Sequence, residues 1–141
     1  MDRKGSATWK GGIKDGKGTI STESKVLSDI QYSFISRFEQ GKGTNPEELI
    51  GAAHAGCFSM ALSMILGIAG FKVESINTTA TVTIEKEGDG FAITAVHLDV
   101  TARVPGADRL VFEKAANNAK VGCPVSKVLN TKITMDARLE D

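Results

Sequence analysis

The hydrophobic pattern is dominated by a run without charged residues from Leu49 to Ala69. The four residues before it, Asn-Pro-Glu-Glu at 45–48, are typical of a helix N-terminus. Asn can cap the first turn, Pro fits the first helical position, and acids face the positive end of the helix dipole. Gly70 follows the run and favours a helix end. The pattern therefore predicts one long helix over residues 46–69.

This helix has no polar face, so it is predicted to be buried on nearly every side. About 20 apolar residues can also span a bilayer. Here the flanks lack the basic residues and aromatics of a membrane span, and His54, Ser59 and Ser63 dilute the run. We therefore favour a buried central helix. One domain of this length rarely surrounds such a helix alone, so we expect a homodimer in which a second copy helps to cover it.

Shorter stretches in which apolar and polar positions alternate predict strands on both sides of the helix. Three precede it, at residues 6–10, 18–23 and 32–39, and glycine-rich breaks separate them. In the third stretch one face would carry Tyr32, Phe34, Ser36 and Phe38. The N-terminal part is thus predicted to consist of strands and turns.

The pattern after the helix predicts a hairpin, two helices and a last strand. Alternation over residues 79–85, the turn at residues 88–90 and a stretch over residues 91–104 indicate the β-hairpin. Helices are predicted over residues 108–120 and 123–129, and a strand over residues 133–137. Because no linker or shift in composition interrupts the chain, we predict a single domain over residues 1–141. The order of elements indicates the α+β class with antiparallel sheets.

Composition narrows the class of protein. Seventeen basic and seventeen acidic residues balance each other. This balance argues against nucleic acid or an anionic membrane as the main partner, because both select for basic surfaces. The first 12 residues contain no apolar run of the signal-peptide type. Two cysteines are too few for a disulfide scaffold and suit a reducing compartment, so we expect a cytoplasmic protein.

The two cysteines are the candidate chemical groups. Cys57 lies in the long helix, where a structural role and a reactive role are both open. Cys123 stands before a proline at an N-cap-like position that favours a thiolate, and Cys-Pro-Val-Ser at 123–126 faintly resembles a thiol–disulfide redox motif. His54, three residues before Cys57, is an alternative activator. His54, His97 and the cysteines could in principle bind zinc, but without a Cys-x-x-Cys pair we predict no metal and no cofactor.

Two thiols suit a peroxidase cycle. A thiolate attacks the O–O bond of a peroxide and becomes a sulfenic acid, and a second thiol condenses with it to a disulfide. In an apolar pocket the attacking thiol needs a fixed cation, and an arginine can hold a carboxylate at the same time. Glu47 lies about 15 Å from Cys57 along a straight helix, so it would act through an arginine, from a partner chain, or across a helix break at a glycine. A dithiol–disulfide oxidoreductase and a non-enzymatic dimeric stress protein stay open as alternatives.

One long segment carries a family resemblance. Residues 41–62, which run from Gly-Lys-Gly-Thr-Asn-Pro-Glu-Glu to Ala-Gly-Cys-Phe-Ser-Met-Ala-Leu, closely resemble the osmotically inducible protein C family, whose relatives are the organic hydroperoxide resistance proteins. Gly-Cys-Pro-Val-Ser at 122–126 is similar to the second cysteine motif of that family. Trp9, the Gly-Thr pair at 18–19 and Ser-Thr-Glu-Ser at 21–24 match as well, so the likeness covers nearly the whole chain.

The resemblance implies a cysteine-based peroxidase of the stress response that prefers organic hydroperoxides to hydrogen peroxide. It also implies an intertwined homodimer with active sites at the subunit interface and a dithiol reductant of lipoyl type. By position, Cys57 matches the peroxidatic cysteine and Cys123 the resolving one. Arg37 matches the arginine that stabilises the thiolate, and Glu47 the acid that orients this arginine. The resemblance assigns no role to His54.

Overall fold

The structure, a computed structural model, describes residues 1–140, and these divide into two units. The first unit comprises Met1–Leu49, and the second begins at Ile50. Each unit is described by itself below. The single domain expected over residues 1–141 therefore stays a prediction.

The first unit is built on an antiparallel sheet with the strand order β1-β2-β3. Its elements are β1 (Gly5–Lys10), β2 (Lys17–Thr22), β3 (Ile30–Tyr32) and α1 (Phe34–Phe38). The rings of Trp9 and Tyr32 pack 5.4 Å apart on one face of this sheet. Gly18 lies between them, and any side chain there would collide with both rings.

The strand predicted over residues 32–39 is wrong, because the strand ends at Tyr32 and a short helix follows. Ser33 caps this helix: the backbone N–H of Ser36 donates to Ser33 Oγ at 3.3 Å, and Ser33 N–H donates to Ser36 Oγ at 2.8 Å. Phe34 and Phe38 pack with ring centroids 5.0 Å apart. Residues four apart share a face in a strand and in a helix, so the aromatic pattern could not separate the two.

The second unit contains most of the long helix and a three-stranded sheet with the order β4-β5-β6. The elements are α2 (Pro46–Ile68), which begins in the first unit, β4 (Ser75–Glu87), β5 (Gly90–Arg103), α3 (Arg109–Gly122), α4 (Pro124–Val128) and β6 (Lys132–Glu140). The predicted hairpin is confirmed as the antiparallel pair β4–β5. The prediction of an antiparallel sheet is wrong for β6, which runs parallel to β5, because the chain returns through two helices before it enters the sheet again.

The core of the second unit lies between one face of the sheet and the helices. Its buried side chains come from α2, β5, the segment after β5, α3 and the α3–α4 junction: Phe58, Leu62, Leu66, Val96, Leu98, Val100, Ala102, Val104, Phe112, Ala115, Ala116, Ala119 and Cys123. Residues spaced by four along α2 form its buried face, which is ordinary helix-on-sheet packing.

The long helix is confirmed, but burial on nearly every side is not seen in the single chain. α2 is continuous through Gly51 and Gly56, so a helix break at either glycine is excluded. By length and composition it could cross a membrane, and 28% of its most apolar stretch is buried within the chain. Met60, Met64 and Ile68 are exposed on this helix.

Candidate active site

Arg37 and Glu47 form an ion pair in the first unit. Arg37 lies on α1 and Glu47 in the first turn of α2. Arg37 Nε donates to Glu47 Oε1 at 2.9 Å, and Nη2 donates to Oε2 at 3.4 Å. The Glu47 side chain is only 8% exposed, whereas that of Arg37 is 39% exposed. A guanidinium held at two points has a fixed direction, so the acid orients the arginine. The action of this pair on Cys57 stays a prediction.

Local hydrogen bonds hold the backbone that carries this pair. Ser36 Oγ donates to the Thr44 carbonyl at 2.8 Å, and Asn45 Nδ2 donates to the Ser36 carbonyl at 2.9 Å. Asn45 Oδ1 accepts the Glu48 N–H at 2.8 Å, which confirms the predicted cap of α2. Gly43, with φ +102°, turns the chain where a side chain would collide with the Gln31 carbonyl.

The two cysteines lie together in the second unit as free thiols. Cys57 is half-buried on α2, and Cys123 is fully buried after α3. Burial raises the pKa of the Cys57 thiol, a hydrogen bond from the Val125 N–H lowers it, and the neighbouring Cys123 thiol raises it further. The net shift of this pKa is upward, and none of these three influences is a cation. Sequence distance could not decide whether the cysteines meet, and the fold brings them into contact.

Cys123 is the N-cap of α4, as its position before Pro124 predicted. The backbone N–H of Ser126 donates to Cys123 Sγ at 3.4 Å, and Ser126 Oγ lies 3.2 Å from the same sulfur. The sulfur therefore takes the place that a Ser or Asp oxygen holds in ordinary helix caps.

His54 is fully buried on α2, and its Nε2 atom is 2.7 Å from Ser126 Oγ. Burial lowers the pKa of His54, which keeps the imidazole neutral. The histidine suggested as an activator of Cys57 is thus bonded to the serine that contacts Cys123. The spacing of Ser126 from a capping cysteine could have predicted the contact with sulfur, but nothing in the sequence indicates a bond between residues 72 positions apart.

His97 belongs to a different polar cluster, on β5 and β6. Its Nδ1 lies 2.6 Å from Thr134 Oγ1, and its Nε2 lies 3.1 Å from Asp136 Oδ2. Asp99 Oδ1 is 3.5 Å from the same nitrogen. The partners of His97 are therefore carboxylates and a hydroxyl rather than the cysteines considered with it as zinc ligands.

An aromatic cavity of about 230 Å³ lies beside Arg37 in the first unit. Its walls come from β1, the following loop, β3 and α1: Trp9, Ile13, Tyr32, Ser33, Phe34, Arg37 and Phe38. A larger cavity of about 550 Å³ in the second unit is lined by residues of β5, α3, β6 and the segment before α3, and neither cysteine lines it. The smaller cavity combines apolar walls with a candidate site residue.

Comparison with known proteins gives the family. The OsmC-like protein family matches residues 39–138. Peroxiredoxin OsmC of Escherichia coli strain K12 is 57% identical over 140 residues, which cover 99% of this chain and 98% of that protein. This chain belongs to the OsmC-like family. With that identity over nearly the full length, it is a thiol-dependent peroxidase.

More distant relatives of the OsmC-like chain agree with this family. Organic hydroperoxide resistance protein-like 2 of Staphylococcus epidermidis (ATCC 12228) is 33% identical over 133 residues, which cover 92% of this chain and 88% of that protein. The crystal structure of the organic hydroperoxide resistance protein OhrB of Bacillus subtilis aligns with a TM-score of 0.69 at 24% identity, over 95% of this chain and 97% of that one. The structural likeness shows that the two share a fold.

Proposed function

We propose that this OsmC-like peroxidase reduces organic hydroperoxides in preference to hydrogen peroxide, in a cytoplasmic stress response. The observation that carries the proposal is the contact between the Cys57 and Cys123 thiols. Two free thiols that interact as neighbours can form a disulfide without moving a domain.

The reaction proceeds in two steps on these sulfurs. The Cys57 thiolate attacks the distal peroxide oxygen, the O–O bond breaks, and the alkoxide leaves as an alcohol after it takes a proton. Cys57 is then a sulfenic acid. The Cys123 thiol displaces its hydroxyl group, which leaves as water, and the Cys57–Cys123 disulfide forms. A dithiol, of the lipoyl type that the family resemblance implies, restores both thiols by exchange.

The first step requires an ionised Cys57, and its immediate surroundings oppose this. Burial and the neighbouring thiol raise the pKa of Cys57, so a cation has to supply the missing stabilisation. Arg37 fits this task because Glu47 holds its guanidinium at two points and leaves part of it exposed. We assign Arg37 to the thiolate and Glu47 to the orientation of Arg37.

The preference for organic hydroperoxides is supported by the aromatic cavity beside Arg37. One serine and the arginine line it together with five aromatic or aliphatic side chains, which are Trp9, Ile13, Tyr32, Phe34 and Phe38. Such walls bind an alkyl or aryl group and gain nothing from hydrogen peroxide, which has no apolar part.

We further propose that the active form is an intertwined homodimer with active sites at the subunit interface. Met60, Met64 and Ile68 follow one another at intervals of four on α2, so they share one face, and they are 77%, 62% and 81% exposed. An apolar stripe of this kind needs a cover. A second copy would bury it and turn α2 into the buried central helix that the sequence predicts.

The catalytic proposal is tested with cysteine variants and free-thiol counting. Cys57→Ser should reduce the turnover of cumene hydroperoxide by about a thousandfold or more, because no peroxidatic sulfur remains. After one equivalent of peroxide the wild-type protein should lose two thiols. Cys123→Ser should lose one, because its first oxidation still occurs. Full activity of Cys57→Ser would overturn the assignment.

Two comparisons complete this test. The kcat/KM ratio for cumene hydroperoxide over hydrogen peroxide measures the substrate preference, and a ratio near one would contradict it. Insulin reduction separates the peroxidase from a dithiol–disulfide oxidoreductase centred on Cys123. The peroxidase should be inactive in that assay.

The oligomer is tested by size exclusion with light scattering at micromolar concentration. The wild-type protein should elute as a dimer, and Met64→Asp should shift it toward a monomer, because a charge in a buried apolar interface is costly. Leu110→Asp is the matched control, since Leu110 is an exposed apolar residue on α3 and is 79% exposed. A monomeric wild-type protein would contradict the dimer.

A further inference from the structure

A line of polar contacts runs from the resolving cysteine into the core of the second unit. Cys123 Sγ lies 3.2 Å from Ser126 Oγ, and Ser126 Oγ lies 2.7 Å from His54 Nε2. All three side chains are buried, and the Cys123 thiol also interacts with Cys57. The titratable groups in this line are therefore Cys57, Cys123 and His54.

The serine is placed to pass a proton from the thiol to the imidazole. When the proton of His54 is on Nδ1, Nε2 accepts the hydroxyl of Ser126, and Ser126 Oγ can accept from the Cys123 thiol. The backbone N–H of Ser126 donates to the same sulfur at 3.4 Å and stabilises negative charge there. This arrangement lines up the thiol, the hydroxyl and the imidazole for a proton transfer from Cys123 to His54.

A buried histidine with a single bonded nitrogen is unusual for a purely structural residue. His54 is fully buried, and among residues 1–140 its Nδ1 has no hydrogen-bond partner. A buried polar group that lacks a partner destabilises the fold, so an apolar side chain would pack here at lower cost. A role as proton acceptor would explain why a basic side chain, His54, occupies this buried position.

We propose that His54, acting through Ser126, accepts the proton of Cys123 and so activates the resolving thiol. The inference rests on the proposed peroxidase function and adds two positioning residues, His54 and Ser126, to its second step. These residues act on Cys123 and not directly on the peroxidatic sulfur.

The step is balanced as follows. As Cys123 Sγ approaches the sulfur of the Cys57 sulfenic acid, its proton moves to Ser126 Oγ, and the hydroxyl proton of Ser126 moves to His54 Nε2. The S–S bond forms as the S–O bond of the sulfenic acid breaks. The imidazolium returns this proton through the same serine to the departing hydroxide, which leaves as water, so that His54 is neutral again. No further oxidant or reductant is consumed.

A reaction without peroxide tests this relay. Dithiodipyridine converts the more accessible Cys57 to a mixed disulfide and releases one thiopyridone, and attack by Cys123 then releases a second. The rate of the second release reports on the resolving thiol alone. Cys123→Ser should release one thiopyridone, which verifies the order of events.

Ser126→Ala should slow the second release about tenfold to a hundredfold, because the base is disconnected from the thiol. His54→Gln should do the same, since its amide can bond Ser126 but cannot take a proton. Ser126→Thr, which keeps a hydroxyl, should restore most of the rate.

Ser59→Ala is the matched control, because it removes another hydroxyl contact of α2, the 2.8 Å contact with Thr78. It should leave the rate unchanged.

The pH dependence separates proton transfer from mere packing. The wild-type second release should be nearly level from about pH 7 to about pH 8, because a neutral imidazole is present throughout. In Ser126→Ala it should rise steeply over the same interval, since only solvent removes the proton. A second release in Ser126→Ala that does not change with pH would overturn the inference, whether its rate equals that of the wild-type protein or is slower. A normal second release of thiopyridone in a protein that consumes no hydroperoxide would contradict the proposed function but not the relay.

Discussion

The ion pair of the first unit and the sulfur network of the second differ in how they treat charge. Arg37 and Glu47 are formally charged and bonded at two points, and the arginine keeps 39% of its side chain exposed. Cys123, Ser126 and His54 are buried and bonded as neutral groups. Burial disfavours every charged form, so the protein keeps its permanent charge near water and its exchangeable protons in the core.

The difference teaches that the two thiols need different means of activation. Burial raises the pKa of Cys57, and in the proposed mechanism this thiol must ionise to attack a peroxide, so it needs a permanent cation. In the same proposal Cys123 attacks the neighbouring sulfur of Cys57, so a transient proton acceptor is sufficient. The following predictions test this division of labour in order of decreasing effect.

Removal of the cation should have the largest effect. Arg37→Ala should remove the lowering of the Cys57 pKa that we propose for Arg37, and alkylation of Cys57 at neutral pH should slow about tenfold or more, since one pKa unit is a tenfold change in thiolate. Iodoacetamide labelling across pH measures this. Arg37→Lys should be intermediate, because a point charge cannot hold two carboxylate oxygens. An unchanged alkylation profile in Arg37→Ala would remove Arg37 from the mechanism.

Acidification should cost stability through His54. Its pKa is lowered in the folded state from 6.5, so above pH 6.5 both states are neutral and its contribution is fully present. Below pH 6.5 the imidazole binds a proton in the unfolded chain but stays neutral in the folded protein. The free energy of unfolding therefore falls by up to about 1.4 kcal/mol per pH unit until the pH reaches the lowered pKa. Urea unfolding at about pH 7.5 and about pH 5.5 measures the loss.

Replacement of each histidine by glutamine gives a matched pair of variants for this unfolding measurement. His54→Gln should abolish most of the loss, whereas His97→Gln should retain it, because His97 is partly exposed beside two carboxylates. Equal pH dependence in the wild-type protein and His54→Gln would contradict the assignment.

Loss of the orienting acid should have the smallest effect. Glu47→Gln keeps the charge of Arg37 but removes the partner that fixes its direction, so Cys57 alkylation should slow only about threefold. Glu48→Gln is the control, because Glu48 lies in the same turn and bonds Thr44 and Asn45 instead. Equal slowing in the two variants would show that helix capping, and not the ion pair, is responsible.

Much of the fold followed from local pattern. The cap at Asn45, the uncharged run and Gly70 gave the long helix, and alternation gave the hairpin. The misassigned segment over residues 32–39 failed because Phe34 and Phe38 share a face in either structure, and the Ser33–Ser36 cap decided between them. The direction of β6 depends on the crossover through α3 and α4, which no local pattern encodes.

The sequence by itself determined the candidate reactive groups: two cysteines, an arginine and an acid in the motifs of a thiol peroxidase family, with Cys123 at a helix start. The tertiary structure alone decided which of them touch. It placed Cys57 against Cys123 and joined His54 to Ser126, although 72 positions separate the latter two. The physical reason is that chemical identity and helix capping are local properties, whereas contact between distant side chains exists only after the core has packed.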